Sequence, residues 1–270
     1  IGGFASATFK RGINYINIPT TLLGAVDASV GGKTGINFGG FKNEIGSFYP
    51  AKHVVISSHF FSSLNPKDIL SGYAEMIKHS LISSNDEWEE LLKLDINSID
   101  YTWLNDAVFR SVSIKENIVE QDPYEHNIRK ALNLGHTIGH ALESLALENN
   151  SPVLHGYAVA WGLIAELYLA HRICDFPKEK VQKTISFIQH NYGSMNISCD
   201  DYDRLYEIMQ HDKKNIGSTI NFTLLSDVGD IQINQTANKD LIFEALDFYR
   251  DSVGLYRSNP PLLIITEETF

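Results

Sequence analysis

Two hydrophobic textures divide the chain. From residue 65 onward, apolar positions recur three and four residues apart, the period of an amphipathic helix. Asn65-Pro66 starts the first such run, an N-cap followed by a proline at the first helical position. That run continues through KDILSGYAEMIKHSLI, and further helices are predicted at about 86–93, 103–121, 133–148, 156–173, 178–191, 201–211 and 239–250. TINFTLLSDVGDIQIN interrupts them with short alternating runs around Gly229, the pattern of a small hairpin. Before residue 65 the texture is mixed and glycine-rich. INYINIP and HVVIS read as short strands, and TTLLGAVDASVGGKTGINFGGFKNEIG between them as a helical turn followed by glycine-bent loops. The predicted fold is the C-terminal portion of an α/β domain over 1–64, then a mainly α-helical domain over 65–270. No internal repeat or low-complexity segment stands out, and RSNPPLLIITEETF after the last helix reads as an extended tail.

Composition narrows the class. Of 270 residues 43% are hydrophobic and 20% charged, with a formal net charge of -11. That acidic balance argues against a nucleic-acid partner, which needs a basic surface. No apolar run is long enough to span a membrane, and no signal peptide is visible. Cys174 and Cys199 lie far apart, form no CxxC, and are compatible with a reducing compartment. The opening IGGFASATFKRG lacks Met and falls inside a glycine-containing pattern, which predicts a fragment of a longer chain.

Against this background LNLGHTIGHALE, residues 132–143, carries His136, His140 and Glu143 on one stripe of an otherwise apolar helix. Thr137 stands where a zinc protease of the HExxH type carries its general base, so that motif fails. The His pair is either a metal half-site or two core histidines bonded to carbonyls and Glu143. Glu75 within GYAEMIKHS and His155 ahead of a long apolar helix are further candidate ligands. Their plain alternatives are a pairing of Glu75 with Lys78 or His79 and a capping role for His155. VGGKTG, residues 30–35, has Asp27 where the Walker pattern requires glycine, so it is no P-loop. What remains is a glycine-bent backbone with one lysine, either an anion cradle or a surface turn. Arg11, Lys33, Lys42, Lys78, Lys115, Arg129, Lys213 and Lys214 scatter around these motifs. Each alone is ordinarily solvated; together they suit a phosphorylated, oxygen-rich substrate. Arg129 and Asn133 fall one and two turns before His140 if the helix begins early enough.

The blocks IPTTLLGAVDASVGGKTGINFGGFKNEIGSFY, GYAEMIKHSLI, RKALNLGHTIGHALE, LHGYAVAWGL and DKK resemble, in order and spacing, the 3-dehydroquinate synthase family of sugar phosphate cyclases. The resemblance runs from residue 1 to about 230. It implies a cytoplasmic, homodimeric enzyme using NAD and a divalent metal, zinc or cobalt. The reaction implied converts 3-deoxy-D-arabino-heptulosonate 7-phosphate to 3-dehydroquinate and phosphate in the shikimate pathway. Glu75, His136 and His155 resemble the family's metal ligands. Asp27, Lys33, Asn43, Lys78, Lys115, Arg129, Asn133, His140 and Lys213, chosen over Lys214, resemble its substrate-binding or catalytic residues. Arg11 matches a phosphate contact made from the neighbouring subunit. Thr20, Thr21, Lys33, Lys42, Phe60, Phe61, Ser62 and Ser63 match cofactor contacts, and Glu143 would support the ligands. The family carries a nucleotide-binding half ahead of this region, so the α/β part is expected to be an incomplete nucleotide-binding domain. Two rivals stand: a related cyclase acting on another sugar phosphate such as sedoheptulose 7-phosphate, and an inactive fragment that binds no NAD.

Overall fold

The computed structural model describes residues 1–38, 41–211 and 219–258; the side chains of 37, 41–44 and 255–258 are outside that description. By internal contacts the chain forms two compact units: Ile1–His79 with Asn97–Arg129, and Ser80–Ile96 with Lys130–Phe270.

The first unit opens with helix α1 (Gly2–Thr8). Strands β1 (Ile16–Asn17) and β4 (His53–Val54) then pair in parallel, as INYINIP and HVVIS predict. Between them the predicted helical turn is a π-helical turn at Gly24–Ala28. The expected glycine-bent loops are instead an antiparallel hairpin of β2 (Lys33–Phe38) and β3 (Phe41–Phe48). Thr34, Ile36 and Phe38 carry the period-two pattern of a strand, which the surrounding glycines disguise. Helix α2 (Pro66–Leu81) starts where Asn65 predicts, its Oδ1 accepting the Asp68 N–H at 2.9 Å. α2 runs to the edge of the second unit, and its first unit portion packs on the turn before Gly24. There Gly72 is required, because a Cβ would sit 2.6 Å from Leu22 Cγ. Helix α4 (Tyr101–Gln121) covers the π-helical turn and the 3-10 turn Ser58–Ser63. Leu22, Ala25, Val26, Phe61, Tyr73, Met76 and Leu104 form the core of this unit, each fully buried. By contrast Ile16, Ile18, Val55, Phe38 and Phe48 are exposed.

The second unit is helical. Between α2 and α4 in sequence lies α3 (Asn85–Leu91), whose Trp88 Nε1 donates to Thr184 Oγ1 at 3.1 Å. α5 (His136–Glu148), α7 (Lys178–Tyr192), α9 (Lys239–Ser258) and strand β5 (Asn221–Asp227) all pack on α6 (His155–Cys174). α6 is apolar on every face, and residues 158–170 are buried throughout, the condition for a helix at the centre of a unit. α8 (Tyr202–Gln210) covers α5. β5 pairs with β6 (Asp230–Thr236) as the predicted hairpin, turning at Gly229, whose φ is +84°. Among the described residues no helix is long and apolar enough to cross a membrane.

Candidate active site

In the second unit a histidine cluster grows from the crossing of α5 and α6. Gly135 breaks the chain into the left-handed region at φ +76°, so α5 begins at His136 rather than at 133. Residues Ile128–Asn133 form a separate 3-10 turn, and the expected continuous stripe through Arg129, Asn133 and His140 is interrupted there. The buried carboxylate of Glu166 accepts the Gly135 N–H at 2.7 Å and the Ile138 N–H at 2.9 Å. It thus satisfies helix-end donors and places negative charge at the positive end of the dipole. Close approach of the two helices needs Gly139 and Gly162: a Cβ on Gly162 would lie 2.6 Å from Gly139 N. The approach brings His155, the first residue of α6, against the α5 histidines. Ring centroids are 5.1 Å apart for His136–His140, 5.4 Å for His136–His155 and 5.7 Å for His140–His155.

One candidate ligand atom from each of these histidines lies within 4.8 Å of the others. His136 Nδ1 donates to the Leu134 carbonyl at 3.0 Å, and His155 Nδ1 pairs with Glu143 Oε2 at 3.2 Å. Each bond engages Nδ1, a usual arrangement around metal-binding imidazoles. The donor set therefore fits a borderline divalent ion such as zinc or cobalt. Glu143 is the residue that meets His155 Nδ1. Thr137 serves the fold, its Oγ1 donating to the Asn221 carbonyl at 3.2 Å.

The first unit gathers charges instead. Lys115 is buried and donates from Nζ to both the carbonyl and Oδ1 of Asp27, each at 2.5 Å. Burial alone would raise the Asp27 carboxyl; the Lys115 charge outweighs it and holds the group down at about 2. Glu75 pairs with Lys78 one helical turn on, both fully buried. His79, beside them, bonds Ser111 Oγ through Nδ1 at 2.8 Å. Burial and then the Lys78 charge push His79 down to about 3, so it is neutral at pH 7. Arg129 is 2% exposed and clamps the glycine stretch: Nη2 donates to the Gly31 carbonyl at 3.0 Å, Nη1 to the Pro123 carbonyl, and the guanidinium faces Phe48 at 5.9 Å. Gly31 and Gly32 have φ of +101° and +64°, so the turn is built rather than loose. Lys33, half exposed, pairs with Glu125.

The expected cofactor residues differ among themselves. Thr20 and Phe60 are exposed, whereas the Phe61 side chain is fully buried. Thr21 Oγ1 accepts the Gly24 N–H at 3.0 Å; Ser62 and Ser63 donate to the carbonyls of His59 and Phe60 at 2.8 and 3.0 Å. Arg11 is exposed, in the left-handed region at φ +64° between Lys10 and Gly12, which are there too. The side chains of Lys42 and Asn43, together with Lys213, Lys214 and residues 259–270 of the expected tail, lie outside the described residues. Three supporting residues escaped sequence reasoning. Glu166 was signalled only as a lone carboxylate inside an apolar helix. Asp122 accepts backbone N–H groups of His126, Asn127 and Arg129 at 2.9, 2.6 and 3.1 Å. The Ser111–His79 bond joins residues with no local signal.

Comparison with known proteins decides the family. The model described as 3-dehydroquinate synthase N-terminal matches residues 1–71, and the one described as 3-dehydroquinate synthase C-terminal matches residues 72–215. The chain belongs to the 3-dehydroquinate synthase family. A 3-dehydroquinate synthase of Parabacteroides distasonis is 57% identical over 255 residues, 94% of this chain and 72% of that one. Another, from Nitratiruptor, is 39% identical over 244 residues, covering 90% and 69%. Among solved structures, 2-deoxy-scyllo-inosose synthase complexed with carbaglucose-6-phosphate, NAD+ and Co2+ is similar with a TM-score of 0.77 at 26% identity, over 92% of this chain and 69% of that one. The α/β-then-helical architecture expected from the sequence is that of these relatives. The rival readings as another cyclase or an inactive fragment are not favoured beside a synthase at this identity.

Proposed function

We propose that the protein acts as an NAD- and metal-dependent cyclising carbon–oxygen lyase, converting 3-deoxy-D-arabino-heptulosonate 7-phosphate to 3-dehydroquinate and phosphate in the cytoplasm. The observation that carries this reading is the gathering of His136, His140 and His155, with Nδ1 of His136 and His155 already engaged, in a chain of this family. When bound, the metal would supply Lewis acidity to substrate hydroxyls and NAD a reversible hydride acceptor.

The chain's own residues bind and orient. His136 and His155 present Nε2 to the ion, and Glu75 is assigned as a carboxylate ligand. Lys78 and Lys115, placed by Glu75 and Asp27, hold substrate oxygens by charge-assisted bonds. Asp27 remains ionised and fixes the Lys115 ammonium. Arg129 holds the Gly31–Gly32 turn in shape, so that Lys33 projects from a fixed backbone; Asn43, Asn133, Lys213 and Arg129 itself are further substrate positions. His140 contacts substrate oxygens, directly or through a water. Thr20, Thr21, Lys33, Lys42 and Phe60 to Ser63 border the cofactor, Phe61 through its main chain. Arg11 serves the phosphate on a neighbouring subunit of a homodimer. In this reading residues 1–64 belong to an NAD-binding domain and 65–270 to the metal- and substrate-binding domain.

Product analysis tests the proposal. Protein supplied with NAD and zinc should release phosphate and 3-dehydroquinate from the seven-carbon acid and leave sedoheptulose 7-phosphate untouched. Cyclisation of the latter sugar in preference would overturn the substrate assignment.

A further inference from the structure

We infer that Asp122 is a positioning residue: by folding residues 123–129 around its carboxylate it sets Tyr124, Glu125 and Arg129 on the base of the first hairpin, and so fixes the Gly31–Gly32 turn from which Lys33 projects. That Lys33 and Arg129 then meet substrate rests on the function proposed above; the coupling of loop to turn does not.

Asp122 is the C-cap of α4, at the negative end of that helix's dipole. An acidic side chain is disfavoured there, and glycine or asparagine ends a helix at less cost. The helix end therefore does not explain an aspartate; the chain that follows it does. Oδ1 accepts the His126 N–H at 2.9 Å, and Oδ2 accepts those of Asn127 and Arg129 at 2.6 and 3.1 Å. The Asp122 carbonyl accepts the Glu125 N–H at 3.3 Å. The loop thus closes on one residue. It carries Glu125 through the left-handed region at φ +63°, a conformation that a non-glycine residue keeps only where its surroundings enforce it.

Three side chains of this loop grip one end of the hairpin. Arg129 Nη2 donates to the Gly31 carbonyl at 3.0 Å, Glu125 pairs with Lys33, and the Tyr124 ring meets Phe48 edge-on with centroids 5.4 Å apart. Lys33 and Phe48 are partners across the β2–β3 ladder, so the three contacts fall on one short stretch. The fit is close: a Cβ on Gly31 would lie 2.5 Å from Arg129 Nη2. The residue whose N–H rests on the Asp122 carboxylate is the same one whose guanidinium holds Gly31. Loss of the carboxylate should therefore be felt at the turn as well as in the loop.

Hydrogen exchange of the full chain, followed residue by residue by NMR without cofactor or substrate, tests the coupling. Asp122→Asn keeps the volume but removes one acceptor and the charge. It should speed exchange at least about ten-fold in 123–129 and also in 30–36, with α6 as in wild type. Faster exchange in 123–129 alone would make Asp122 a local brace and overturn the inference. Arg129→Gln cuts the link from the other side: it should loosen 30–36 while the amides of His126 and Asn127 stay protected. Wild-type exchange at 30–36 in this variant would overturn the inference even if Asp122→Asn fails to fold. In turnover assays Asp122→Asn should raise KM for the seven-carbon acid at least about ten-fold with kcat within about three-fold, and its effect should not multiply in full with that of Arg129→Gln, since both act through one guanidinium. An unaltered KM, or fully multiplying effects, would overturn the inference. A wild type without activity would overturn the proposed function and leave the exchange measurement to decide this one.

Discussion

In the first unit Asp27 lies on Lys115 and Glu75 on Lys78; in the second, three imidazoles gather, with Glu143 on one of them. Lys115 and Lys78 each carry an opposite charge, and removing one partner strands the other in a poorly solvated place. In the second, Nδ1 of His136 bonds the Leu134 carbonyl and Nδ1 of His155 bonds Glu143, so two of the rings are oriented by neutral or acidic oxygens rather than by a lysine.

That contrast predicts graded effects. The largest falls on the histidine cluster. His155→Ala should abolish zinc binding, measured by metal analysis of purified protein, and cut turnover by more than about 10³-fold, the several kcal/mol a Lewis acid supplies. Full activity with normal metal content would refute the ligand assignment. Next comes the scaffold beneath it. Gly162→Ala places a Cβ against the α5 backbone and should cost about 4 kcal/mol or more, seen as a collapse of the thermal midpoint. A small shift would mean that the helices part easily.

The charged pairs of the first unit respond differently. Lys115→Met should destabilise by about 3 kcal/mol, and Asp27→Asn added to it should recover part of the loss, because the stranded charge goes with it. Additive losses in denaturant titrations would show that the pair is not coupled. Asp122 gives a pH signature. Three backbone N–H groups outweigh burial and hold its carboxyl below the ordinary value. Its stabilisation is therefore full above the unfolded pKa of about 3.9 and disappears as pH falls through the lower folded value. Asp122→Asn should flatten that acid limb; an unchanged limb would assign it to other carboxylates. The smallest effect belongs to the surface. Arg204→Ala removes the exposed pair with Glu148 and should leave the thermal midpoint nearly unchanged, because solvent screens the pair.

Much of the fold was readable because helical periodicity and capping are local. Asn65 announced α2, and the alternating run around Gly229 announced the second hairpin. The first hairpin was not, because glycines at 31, 32, 35 and 46 look like a loop until a partner strand supplies the register. In the site, His136, His155 and Glu143 were legible as residue types at suggestive spacings. Glu166, Asp122 and Ser111 were not, since each acts through one particular backbone or ring that only folding brings near.

The order of residues by itself determined the family, the helical stripe of His136 and His140, and the presence of enough lysines to meet a phosphorylated acid. Spacing along a helix and motif order are one-dimensional quantities. Tertiary structure alone decided that His155 meets both α5 histidines, that Arg129 leaves their stripe to clamp Gly31, and that Asp27 owns Lys115. Those outcomes depend on how closely two backbones approach and which buried charge finds a partner, and both are set by packing in three dimensions.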